Sequence, residues 1–120
     1  MMNISNKRKK KSSKVLILCI DRDDDLGIKT TIKTPVIGLK SCQNAAIKLA
    51  MSDPEEADAN AIFASIKTYN ELIKKGRQCE ICIVTGLHSG GHQSDEKIRN
   101  EIITVVNKTK SKSAIIVSDG

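Results

Sequence analysis

The chain predicts an α/β domain: a three-layer, Rossmann-like parallel sheet with helices on both faces. Three observations predict it. Six consecutive apolar residues, Val15 to Ile20, make a run of strand length without the alternation of a half-solvated strand, so it reads as buried on both faces. Two later runs, Glu80 to Thr85 and Ala114 to Val117, share that character. The segments between them have helical period and enough length to cross back over a sheet, and right-handed crossovers then set the three strands parallel. The 120 residues allow one domain, drawn as 15–120 behind a basic tail at 1–14.

The elements follow from local signals. After the first strand comes an acidic loop with four aspartates in five positions, Asp21 to Asp25, then a polar, β-branched connection from Ile28 to Thr34. Pro35 and Gly38 mark turns. A helix is expected over 41–51, presenting Ala45, Ala46, Leu49 and Ala50. The next is expected to start with Asp53 as N-cap, Pro54 as first helical residue, and Glu55 and Glu56 in the first turn. Ile62, Ile66, Tyr69 and Ile73 give it one apolar face, and Lys74, Lys75 and Gly76 close it. The second strand ends in Thr85 and Gly86, and the loop GLHSGGHQ leads to Ser94 as an N-cap. Ile98, Ile102, Val105 and Val106 share a face of the helix that follows. A third strand then ends in Ser118, Asp119 and Gly120. The exposed face of such a sheet calls for another helix, so the chain is expected to be truncated after its third strand.

Composition narrows the function classes. The net charge of +6 belongs wholly to residues 1–14, which carry six basic residues and no acid. That tail is expected to be disordered, and any contact with nucleic acid or anionic lipid is confined to it. Phe63 and Tyr69 are the only aromatics, which argues against base stacking. No apolar stretch approaches the roughly 20 residues that span a bilayer, and no signal peptide is evident, so a cytoplasmic location is expected. Cys79 and Cys82 form a CxxC at the start of a strand, where their side chains fall on opposite faces. A redox CxxC sits at a helix N-terminus and a zinc site needs a second pair, which Cys19 and Cys42 do not supply. All four are read as structural.

The three strands end in polar residues at one edge of the sheet: Asp21 with Asp23, Thr85 with Gly86, Ser118 with Asp119. Ligands of open α/β sheets bind at that edge. Close carboxylates repel one another by about 1 kcal/mol per pair at 4 Å in water, and a cation relieves the repulsion. Asp21, Asp23 and Asp119 are therefore the expected ligands of a magnesium ion, with Thr85, Gly86 and Ser118 contacting its partner molecule. The alternative is a solvated loop neutralised by Arg22 and nearby lysines, with one aspartate as a cap. A calcium EF-hand is excluded, because Leu26 stands where glycine is needed and Ile32 where glutamate is needed. His88 and His92, four apart on a loop, are not placed on one face and are read as loop residues, and Asp95 and Glu96 at the positive end of the following helix argue against an anion there.

A strand ending in DxD, a later one ending in Thr, a lysine on the next helix and a final strand ending in Asp is similar to the arrangement in haloacid-dehalogenase-type phosphatases. That resemblance implies Asp21 as nucleophile, Asp23 as general acid and base, Thr85 as phosphate ligand, Lys97 as charge stabiliser and Asp119 as metal ligand. Asp25 departs from it, standing where those enzymes have Thr or Val.

VLILCIDRDDDLG, PVIG at 35–38, AAIKLAMSDPEEADANAIFASIKTYNEL and IVTG at 83–86 resemble the archaeal family called domain of unknown function 373. The likeness runs from Val15 to Gly120. It implies a soluble N-terminal part of a longer protein whose C-terminal half crosses the membrane, making that membrane region the expected partner. The family has no established activity. Two functions stay open: a ligand- or cation-binding regulatory domain, or a magnesium-dependent phosphoesterase or phosphotransferase.

Overall fold

The computed structural model describes residues 13–55 and 58–118. Its first strand, β1 (Val15–Asp21), is buried at all seven positions. The chain continues through α1 (Asp25–Thr30), β2 (Val36–Ile37), α2 (Leu39–Ser52), α3 (Asn60–Lys74), β3 (Cys79–Thr85), α4 (Gly91–Thr109) and β4 (Ser113–Ser118). The sheet order is β2-β3-β1-β4. β1 lies between β3 and β4, parallel to both, which is why its apolar run does not alternate. Asp21 pairs with Thr85 in register, so the carboxyl ends of β1 and β3 lie side by side.

Alternate residues of the strands feed two cores. Val15, Ile17, Cys19, Cys79, Ile81 and Ile83 face α2 and α3, which pack closely through Cys42, Ala45, Ala46, Ala61 and Ile62. Leu16, Leu18, Ile20, Cys82 and Val84 face α4 through Ile98 and Val105. The three layers are thus helices, sheet, helix. Cys79 and Cys82 fall on opposite faces, as their spacing requires.

Four local expectations change. The connection after the acidic loop begins as helix α1, because Asp21 and Asp24 accept hydrogen bonds from its first amides. The sheet gains a fourth strand, β2, antiparallel to β3, so it is mixed at that edge. Asp53 does not cap α3, which starts at Asn60; it ends α2, and both Asp53 and Asp58 pair with Lys29 of α1. An ammonium from another element wins the carboxylate over the local amides. Ser94 lies inside α4, where its hydroxyl accepts from Leu87 N at 2.8 Å and donates to Arg22 O at 3.5 Å. The basic tail through residue 12 and Glu56 lie outside the described residues.

Candidate functional site at the carboxyl edge of the sheet

Asp21 closes β1 with a buried carboxylate. Its Oδ2 accepts from Leu26 N at 2.9 Å and its Oδ1 from Asp25 N at 3.3 Å. Asp24, held in the left-handed region at φ 58°, accepts from Gly27 N at 3.0 Å. Two of the four acids thus satisfy the unpaired amides at the start of α1 and sit at the positive end of its dipole, which relieves their mutual repulsion. A Cβ on Gly27 would stand 2.5 Å from Asp24 Oδ1, so this cap requires glycine there. Asp23 is exposed, and Asp119 lies outside the described residues. Among the described residues, no group of three His, Cys, Asp or Glu side chains is set to hold a metal ion.

Beside Asp21 is a polar cluster built around Glu101, which is buried on the inward stripe of α4. Glu101 Oε1 accepts from Thr85 N at 3.0 Å, and Oε2 accepts from Thr34 Oγ at 2.9 Å. Lys97 Nζ, one helical turn earlier, donates to Glu101 Oε2 at 2.9 Å, to Thr85 Oγ at 2.8 Å and to Thr85 O at 2.9 Å. It also lies 3.3 Å from Thr34 Oγ, and the two threonine hydroxyls are 2.6 Å apart. A carboxylate buried here without partners would be costly; with Lys97 and two protein donors it is stable. Among the described residues every buried side-chain nitrogen and oxygen has a partner.

Glu101 and Thr34 were not among the residues expected from the sequence. Glu101 does carry a signal, being three residues after Ile98 and four before Val105 on the apolar stripe, where an acid must have a partner. Thr34 carries none, since only the fold brings it across to Thr85.

The cluster forms the back of a cleft of about 420 Å³. Ile28 and Ile32 supply apolar wall, Asp24 lies at one side, and Lys33, Thr34, Thr85 and Lys97 line it with polar groups. Thr31, also on the cleft, has φ 64°, a strained value for a β-branched residue.

The remaining expected residues divide. Gly86 is at the same edge, but it is buried, and its N donates to Asp21 O at 3.1 Å. A Cβ there would meet Ser94 Oγ at 2.2 Å and Arg22 O at 2.4 Å, so its place is one of close packing between chain segments. Ser118 pairs with Ile20, one residue short of Asp21. His88 is exposed; His92 falls on α4, 3.9 Å from Glu96 at the surface. The four cysteines are buried thiols. Burial pushes Cys42 up to about 12 and raises Cys79 and Cys82 as well, the reverse of what a reactive thiolate needs.

The sequence pattern of the family described as domain of unknown function (DUF373) matches residues 14–120. An uncharacterised protein of Archaeoglobus fulgidus is 48% identical over 107 residues, covering 89% of this chain and 31% of its own length. An uncharacterised protein of Methanocaldococcus jannaschii is 41% identical over 71 residues, covering 59% of this chain and 19% of its own. The chain therefore spans at most about a third of the curated relatives it matches. No solved structure matches it significantly.

Proposed function

From the premise that this chain belongs to the family described as domain of unknown function (DUF373), we propose that it is a ligand-binding regulatory α/β domain of a longer protein. Its site is the cleft at the carboxyl ends of β1 and β3. The observation that carries this reading is the set of Lys97, Thr34 and Thr85, all lining the cleft and all held by the buried Glu101. Donors fixed in advance cost little to order when a ligand arrives. Lys33 and Lys97 suit an anionic group, whereas Asp24 in the cleft and Glu101, paired with Lys97, offset their charge. A phosphate-bearing small molecule accompanied by magnesium satisfies both signs; of the acids expected to hold the cation, Asp23 is exposed, whereas Asp21 is engaged by the amides of α1 and Asp119 lies outside the described residues. In the longer protein this domain is the cytoplasmic sensor of a membrane-embedded half, which fractionation of cells producing the full-length Archaeoglobus relative tests.

The binding test is thermal unfolding with magnesium alone, inorganic phosphate alone, and nucleotides with and without magnesium. A rise in Tm with a phosphate-bearing compound, lost in the Lys97→Met/Glu101→Gln double variant while its far-UV circular dichroism is kept, is the expected result. No rise with any of these in the folded parent rejects the reading.

One observation favours a second reading, a magnesium-dependent phosphoesterase. Lys97 Nζ lies 2.8 Å from Thr85 Oγ, and Thr85 is the register partner of Asp21, so three residues of the phosphatase-like arrangement share the edge. Against it, the Asp21 oxygens point at the amides of α1, where a nucleophile would face the cleft. Phosphate released from p-nitrophenyl phosphate with magnesium by the parent, and not by Asp21→Asn, selects the enzyme.

A further inference from the structure

The face of β4 that turns toward the α4 layer is bare. Ala114, Ile116 and Ser118 are register partners of Leu16, Leu18 and Ile20, which pack beneath α4, yet Ile116 is 64% exposed. Among the described residues β4 pairs only with β1, and its sequence, SAIIVS, has none of the charges or prolines that blunt a sheet edge. An apolar groove of about 450 Å³ runs along the flank of α4 opposite Lys97 and Glu101. Ile98, Ile102 and Ile103 line it together with Arg99, Ile103 is half exposed, and the Arg22–Asp95 pair stands at one end.

We propose that this face and edge receive a helix–strand unit of the same polypeptide. The helix lies in the groove beside α4 and over Ile116, and the strand pairs parallel to β4. Handedness selects this occupant. The path β3–α4–β4 steps over β1 toward the open edge with its helix on the bare face, and a right-handed crossover continuing in that direction puts the next helix on the same face. An amphipathic helix there buries the exposed isoleucines of both α4 and β4, and the added strand takes up the free backbone groups of the edge. The Archaeoglobus relative has chain enough for such a unit, since the matched part is 31% of its length. A second copy of this chain pairing edge to edge across a two-fold axis would run antiparallel and supply no helix to the groove.

Hydrogen exchange and sedimentation test this on two proteins, the present chain and the full-length Archaeoglobus relative. In the present chain, the amides of 113–118 that point away from β1 exchange at least about 100-fold faster than those of 79–85, at monomer mass. In the full-length relative, the strand matching β4 exchanges as slowly as its neighbours. Fast exchange of that strand in the full-length protein overturns the proposal. So does a doubled mass of the present chain with 113–118 protected, which assigns the edge to a second copy. An Ile116→Cys variant adds a check that leaves the fold alone: maleimide labels it in the parent, whose own thiols are buried.

Discussion

Removing the Glu101 carboxylate strands the Thr85 amide and takes one acceptor each from the Thr34 hydroxyl and the Lys97 ammonium, which keep their contacts with Thr85. Glu101→Ala is expected to cost about 2–4 kcal/mol in urea unfolding, discounted from a fully buried pair because Lys97 is partly solvated. Glu101→Gln keeps an acceptor for Thr85 N and costs less. Gly86→Ala is expected to cost about 1–3 kcal/mol, because the new methyl meets the Arg22 carbonyl, and backbone cannot swing aside as a side chain can. A cost under about 0.5 kcal/mol would show that the β1–β3 loops do not need this close approach. At this scale the sequence revealed the strand-end residues Asp21 and Thr85, since an apolar run ending in a polar residue marks both position and edge. It revealed Glu101 only by exception and Thr34 not at all, because their meeting depends on three elements converging. Asp53 misled for the same reason: its local pattern is that of a cap, and a distant lysine decides its partner.

Helix α1 has six residues, too few to hold itself in water. Its stability is borrowed from Leu26, fully buried beneath it, and from the two aspartates at its start. Asp21→Ala is therefore expected to cost about 1–2 kcal/mol and to speed amide exchange across 25–30, while β1 and β3 stay protected. Exchange that speeds equally everywhere would assign Asp21 to the whole fold instead of to this helix. The long amphipathic elements were legible because their periodicity is long: α2, α3, α4 and the three parallel strands fall within a few residues of expectation, α3 apart at its start. α1 and β2 were not, since Gly27, Thr30 and Thr31 are poor helix formers and two residues of strand carry no period. Tertiary capping and edge pairing made them.

Taken whole, the domain places its thiols in both cores, and this sets its response to alkali. The Cys42 thiol has an ordinary value of 9.0 and is pushed up to about 12 by burial. Above pH 9 the unfolded chain releases that proton and the folded one keeps it, so stability is full below about 9 and falls as pH rises toward 12. The expected slope from Cys42 is about 1.4 kcal/mol per pH unit, with Cys79 and Cys82 adding in the same direction. Urea unfolding at pH 7, 9 and 10.5 measures it, and Cys42→Ala should flatten the decline. The central position of β1 bears also on how the chain is born. Among the described residues β1 is the first strand made, yet both its neighbours come later, and Ser113 leaves the ribosome about 90 residues after Asp21. At about 5–20 residues per second, the six apolar side chains of Val15 to Ile20 wait roughly 5–18 s for the second of their two partners, an interval in which that apolar surface is open to aggregation.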